Sequence, residues 1–210
     1  MRPFIVINLG QMKNNPAIFG GSFDPVHLGH LFLLNSVFEK TEYNKIFIVP
    51  VYINNFKRQG ACISSEDRLN MLNLAKKDFY DLYPQHIDKQ IVIDDREIKR
   101  EGVSYTYDSV MEIKKEENLQ SPIGFIMGDD LVSKLDQWYK IDELKKEVEF
   151  VIFNRNNMIK ERIDVSAGFR YRQINNEIYR SSSTQVREAG DKTLLSRRVA
   201  EYVRNKALYN

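Results

Sequence analysis

The chain has 210 residues, 42% of them hydrophobic, and its 31 Lys and Arg against 29 Asp and Glu leave a formal net charge of +2. That length suffices for one domain with a full core, and so slight a positive balance, with no long basic block, gives no footprint for nucleic acid. The single cysteine, Cys62, excludes an internal disulfide, fits a reducing, cytoplasmic setting and, with three histidines, supplies no zinc ligand set.

In chain order, Pro3 to Leu9 is apolar but too short to span a membrane, and no small-residue cleavage pattern follows it. Ala17-Ile18-Phe19 predicts a buried strand, Gly20-Gly21 a turn, and Leu28 to Glu39 a helix. Lys45 to Pro50 predicts a second strand, followed by polar, irregular sequence from Val51 to Ile63. Ser64 and Asp67 mark a helix start, with Leu69, Leu72 and Ala75 on the apolar face. Ile91 to Ile93 predicts the third strand, Glu97 to Gly102 a charged turn, and Thr106 to Glu117 a helix. Ile123 to Met127 predicts the fourth strand, running into Gly128-Asp129-Asp130. A short helix, Trp138, a helix over Asp142 to Glu147 and a strand over Val148 to Phe153 come next. A strand near Phe169 to Ile174 precedes helices over Ser182 to Ala189 and Ser196 to Lys206, the last with Val199, Tyr202 and Val203 inward. Strands alternating with helices predict an α/β fold: a Rossmann-like, doubly wound parallel sheet with a small C-terminal helical part, residues 182–210, within one domain.

The chemistry concentrates in Gly20-Gly21-Ser22-Phe23-Asp24-Pro25-Val26-His27-Leu28-Gly29-His30. A strand, a glycine turn and a helix start direct free backbone N–H groups at a phosphate. His27 and His30 share one face of the helix start, and each imidazole can donate to a phosphate oxygen. Gly128 and Asp130 follow a strand, where an acid can hold ribose hydroxyls, and Trp138 offers a flat stacking surface. Ser182-Ser183-Thr184 at a helix start, with Arg187 one turn in, suits a polyphosphate tail. These stations all follow strands or open helices, so the sheet predicts that the strand-borne ones converge on one edge.

The first of these strings resembles the His-x-Gly-His signature of the nucleotidyltransferase superfamily, and at full length it is similar to the bacterial nicotinate-mononucleotide adenylyltransferases. Ser22 stands where that family usually has threonine, keeping the hydroxyl. Ser182 to Arg187 resembles the second family signature, Ile-Ser-Ser-Thr-x-Ile-Arg, with Ser181 in place of the isoleucine and Arg180 in place of an acidic residue. Gly128, Asp130 and Trp138 match the family's Gly-x-Asp with a tryptophan eight residues on. Ser104-Tyr105-Thr106 matches its Ser-Tyr-Thr, and Leu208-Tyr209 its ending.

The resemblance implies adenylyl transfer from ATP to nicotinate mononucleotide, yielding deamido-NAD and pyrophosphate. It implies catalytic contacts from His27, His30, Lys57 and Arg187, with Lys57 kept although Asn54-Asn55-Phe56 replaces Pro-Pro-His before it. ATP is expected at Gly20, Gly21, Ser22, Phe23, Gly128, Asp130, Ser183 and Thr184. The mononucleotide is expected at Tyr105, Thr106, Trp138 and Arg155. Mg²⁺ would arrive with ATP, and neither nucleic acid nor membrane is an expected partner. Residues 1–14 are expected to be an N-terminal extension, because family members start their first strand within a few residues of the initiator. Nicotinamide mononucleotide and phosphopantetheine remain alternative acceptors, and a non-catalytic nucleotide-binding module an alternative class.

Overall fold

The computed structural model describes residues 14–53, 62–154, 168–176 and 181–209. Its strands are β1 (Pro16–Gly21), β2 (Lys45–Pro50), β3 (Gln90–Ile93), β4 (Ile123–Gly128), β5 (Val148–Phe153) and β6 (Tyr171–Ile174). Its helices are α1 (Leu28–Lys40), α2 (Ser65–Leu82), α3 (Arg96–Arg100), α4 (Thr106–Glu116), α5 (Ile141–Glu147), α6 (Ser183–Ala189) and α7 (Arg197–Asn205), with a 3₁₀ stretch over Asp129–Gln137. Among the described residues, no helix is long and apolar enough to cross a membrane.

The six strands form one sheet in the order β3-β2-β1-β4-β5-β6, every neighbouring pair parallel. The order reverses between β1 and β4, where Ala17, Ile18 and Phe19 pair with Gly124, Phe125 and Ile126. In such a sheet a crevice opens beyond the carboxyl ends of the two strands at the reversal. Alternation along β1 explains why its residues read as a continuous apolar run. Ala17 and Phe19 pack with α1, α2 and α7 on one face, and Ile18 packs with α4 and α5 on the other. Both faces are covered, so both sets of side chains must be apolar.

Local chemistry sets several element ends. Ser64 caps α2 by accepting from Asp67 N–H at 3.0 Å, as the Ser-x-x-Asp spacing predicts. The expected charged turn at Glu97–Gly102 is instead largely the helix α3, with Glu101 and Gly102 at positive φ ending it. Its first turn carries Glu97 and its last Lys99 and Arg100, the charge order that a helix dipole favours. The edge strand expected from Phe169 starts at Tyr171, while Phe169 packs its ring against Phe150 at 5.7 Å. In α7, Val199 and Val203 are buried, whereas Tyr202 is half-buried and donates its hydroxyl to Asp67 at 2.8 Å.

The inward face of α2 also differs from expectation. Leu69 is half-buried, and Arg68 and Met71 are buried beside Leu72 and Ala75. Arg68, 1% exposed, donates from Nη1 to the carbonyls of Ser22 at 2.9 Å and Val51 at 2.7 Å. These bonds tie α2 to the loops that follow β1 and β2, while the buried Nε is left without a partner among the described residues.

Gly124, on β4, marks the tightest point of the sheet. A Cβ there would lie 2.5 Å from the Tyr43 ring and 2.8 Å from Ala17 Cβ. Tyr43 cannot readily yield, because it is buried and its hydroxyl donates to Glu149 at 2.6 Å. Gly124→Ala is therefore expected to cost about 1–3 kcal/mol by overpacking. Thermal unfolding should show a Tm lower by roughly 3–10 °C, with activity retained below the transition.

Candidate active site

The carboxyl ends of β1 and β4 and the loops around them enclose a cavity of about 1120 Å³. Its lining includes Gly20 to Asp24, His27, His30, Thr106, Asp130, Trp138 and the segment carrying Ser181, Ser183, Thr184 and Arg187. Both signatures and the candidate pyridine-side residues thus meet in one space. Lys57 and Arg155 lie outside the described residues.

The first signature is shaped by its aromatic residue. Phe23 takes a left-handed backbone conformation, φ 47°, and turns its ring back over Gly21. A Cβ on Gly21 would come within 3.1 Å of that ring, so this glycine first of all seats Phe23. Phe23 then packs edge-on to Phe19 at 5.5 Å and beside His30 at 5.1 Å, forming an apolar support under the second histidine.

His27 is the N-cap of α1 and is 6% exposed. Its backbone N–H donates to His30 Nδ1 at 3.1 Å, and the two ring centroids stand 3.8 Å apart. A backbone N–H is always a donor, so His30 Nδ1 carries a lone pair and the ring is neutral with its proton on Nε2. His30 in this tautomer offers a hydrogen-bond donor at Nε2.

The second signature is latched onto the first. Ser182 caps α6 by accepting from Gln185 N–H at 3.2 Å. Ser183 donates its hydroxyl to the Pro25 carbonyl at 2.9 Å. Arg187 donates to the Asp24 carbonyl at 2.5 Å and to Thr184 Oγ1 at 3.3 Å. Part of the donor set expected at a polyphosphate tail thus also braces the histidine loop.

Asp24 escaped sequence reasoning as more than a member of the motif. Its carboxylate, 4% exposed, accepts from Cys62 N–H at 2.6 Å and from the Tyr209 hydroxyl at 2.6 Å. Burial and the bond to Asp24 push the Tyr209 phenol far up, so it stays a donor across the physiological range. Asp24 joins the signature loop, the chain after β2 and the penultimate residue. No local pattern announces a contact spanning 185 positions.

On the opposite side, Tyr105 is the N-cap of α4 and Thr106 its first residue. Ser104 is not the cap; its hydroxyl accepts from Arg100 at 3.1 Å. Trp138 is half-buried, edge-on to Phe125 at 5.5 Å and Phe150 at 6.5 Å, so it is part core and part cavity wall. Its buried Nε1–H has no acceptor among the described residues. Tyr139 stacks on Tyr105 at 4.4 Å, and both are exposed at the rim. Sequence reasoning passed over Tyr139.

Glu97 was also missed. It is 5% exposed, lines the cavity, accepts the Ser109 hydroxyl on Oε1 at 2.7 Å, and leaves Oε2 without a partner among the described residues. Burial pushes its carboxyl above the ordinary range, against the pull of Ser109 and Arg100. The unfolded chain releases this proton at lower pH than the fold does. Between the two values the fold holds more protons and loses stability as pH rises. Tm measured against pH should therefore fall in that interval for the wild type, and Glu97→Gln should flatten the fall.

Comparison with known proteins places this geometry. The model of the cytidylyltransferase-like family matches residues 18–189, which spans both signatures. The chain belongs to that family. A protein of Hydrogenobaculum sp. described as "Probable nicotinate-nucleotide adenylyltransferase" is 33% identical, over 92% of this chain and 97% of its own length. One of the same description from Aliarcobacter butzleri is 36% identical, over 90% and 94%. The Plasmodium falciparum nicotinic acid mononucleotide adenylyltransferase, solved in complex with NaAD, shares the fold with a TM-score of 0.73 at 22% identity, covering 93% of this chain and 97% of that one. The sheet is of the Rossmann type, and the signature histidines follow β1, one of the two strands at its point of reversal.

Proposed function

We propose that the chain transfers the adenylyl group of ATP to nicotinate mononucleotide, a step of NAD biosynthesis in the cytoplasm. One observation carries the reading: the His27–His30 pair, braced by the Ser183–Arg187 segment, shares one cavity with Thr106 and Trp138. That cavity can take a triphosphate at one end and a flat ring at the other. The likeness to relatives described as nicotinate-nucleotide adenylyltransferases supports it.

In the reaction, a 5′-phosphate oxygen of the mononucleotide attacks the α-phosphorus of ATP. The bond from the α-phosphorus to the bridging oxygen breaks, and pyrophosphate leaves with that electron pair. The nucleophile is already an anion, so the site must align reactants and stabilise charge rather than abstract a proton. His30 Nε2–H and His27 meet the phosphates, with Gly20, Gly21, Ser22 and Phe23 shaping the floor beneath them. Lys57 and Arg187, with Ser183 and Thr184, hold the transferring phosphate and leaving group. Gly128 and Asp130 receive the adenosine ribose. Tyr105, Thr106, Trp138 and Arg155 receive the mononucleotide, its carboxylate facing the free N–H groups that open α4.

Mg²⁺ delivered with ATP would offset phosphate charge. In the signature loop the Asp24 carboxylate already accepts from Cys62 and Tyr209, and among the described residues no group of three or more His, Cys, Asp and Glu stands ready for a metal. The residues present fit an ion held chiefly by phosphate and water. Residues 1–14 are proposed to be an extension, so a chain starting at Met12 should fold and turn over like the full one.

The test is pyrophosphate release from ATP and Mg²⁺ with three acceptors offered separately. Nicotinate mononucleotide should be preferred over nicotinamide mononucleotide, and phosphopantetheine should give none. Release with phosphopantetheine alone would reassign the acceptor. No release from folded protein that binds ATP would leave a binding module.

A further inference from the structure

Arg68 is the most deeply buried charge among the described residues that line the cavity, 1% exposed. Its hydrogen bonds all go to uncharged groups. Nη1 donates to the carbonyls of Ser22 at 2.9 Å and Val51 at 2.7 Å, and Nη2 to Ser65 Oγ at 3.2 Å. Burial pulls its pKa below the usual value, with only partial relief from Asp24, whose carboxylate is engaged by Cys62 and Tyr209. Tying two loops does not call for a charge, since a neutral amide offers two N–H donors at less desolvation cost. A buried cation with neutral partners at the wall of a cavity calls for an anion within it.

We propose that Arg68 is a positioning residue for the triphosphate of ATP, drawing the Ser22 carbonyl to itself so that the Phe23 N–H is turned to a phosphate, with the guanidinium charge standing behind it. This rests on the reading of the cavity as an ATP site. The Ser22–Phe23 peptide is trans, so its N–H points opposite to the carbonyl that Arg68 holds. Phe23 is 2% exposed, and its N–H has no acceptor among the described residues, a condition that buried backbone rarely shows without a ligand or water to meet it. The preceding carbonyl, that of Gly21, is likewise taken, by Val51 N–H at 3.0 Å. Both carbonyls of the turn are thus engaged by donors, and neither is free to repel an anion.

The test uses the full chain labelled with ¹⁵N-phenylalanine and two probes, inorganic triphosphate and adenosine. In the wild type, saturating triphosphate should move the Phe23 amide proton downfield, and adenosine should leave it in place. Arg68→Gln, which keeps two N–H donors but no charge, should weaken triphosphate binding about tenfold or more, the worth of one charge-assisted hydrogen bond, while adenosine binds as before. Arg68→Lys, which keeps the charge, should restore most of that loss. A Phe23 amide unmoved at saturation overturns the proposal. So does a folded Arg68→Gln that binds triphosphate like the wild type, or one that loses both probes equally. If neither variant folds, the wild-type amide decides. A Phe23 amide that follows triphosphate in a protein without turnover on any acceptor would uphold the positioning role and refute adenylyl transfer. Turnover with an unmoved amide would do the reverse.

Discussion

Replacing His27 with alanine is expected to lower kcat about a hundredfold, on the order of 3 kcal/mol of transition-state stabilisation. The reason is that the proposed chemistry has no enzyme nucleophile or base to fall back on. Charge that builds on the transferring phosphoryl group must be met by fixed donors, and His27 is buried, in contact with Ser181 and packed at a tilt against His30. KM for the mononucleotide should change little, because Thr106 and Trp138 stand on the other side of the reversal point. The fold should persist, since the helix keeps its own backbone bonds and loses one cap. Steady-state kinetics beside a melting curve would separate the two effects. Wild-type kcat in a folded variant would remove His27 from the reaction.

Asp24→Ala should do comparable damage by a different route. It removes the acceptor of two donors, the Cys62 N–H and the half-buried Tyr209 hydroxyl, each charge-assisted bond being worth about 1.5–3 kcal/mol. Stability should fall by roughly 3–5 kcal/mol, and Tm by about 10 °C or more for a chain of this size. Turnover should drop more than tenfold even at temperatures where the variant is folded, because the histidine loop loses its anchor to the C-terminus. Tyr209→Phe removes one of the two bonds and should give an intermediate loss in both. If Tyr209→Phe changes neither, the C-terminal tie has no part in holding the loop.

The sheet was legible in the sequence because parallel strands covered on both faces leave little choice of residue. The apolar runs at Ala17–Phe19, Lys45–Pro50, Ile123–Met127 and Val148–Phe153 are all strands of the structure. The Ser64 cap was readable for the same local reason, a hydroxyl three residues before a free N–H. What escaped was whatever depends on partners distant in sequence. Arg68 reads as a surface arginine until the carbonyls of Ser22 and Val51 are brought to it. Glu97 reads as part of a charged turn until Ser109 receives it inside the cavity. Ser181 reads as a departure from a signature until the second signature docks and brings its hydroxyl to 3.0 Å from His27 Nδ1. The glycines were read as room for a ligand. Gly21 makes room for Phe23, and Gly29 for Ser181.

The most direct test of the account follows a label. ATP labelled at its α-phosphorus is incubated with the protein, Mg²⁺ and equal amounts of nicotinate and nicotinamide mononucleotide, and the products are separated. The account predicts the label in deamido-NAD, with unlabelled pyrophosphate released in equal amount and little label in NAD. Label appearing in ADP or AMP without a dinucleotide would contradict adenylyl transfer itself.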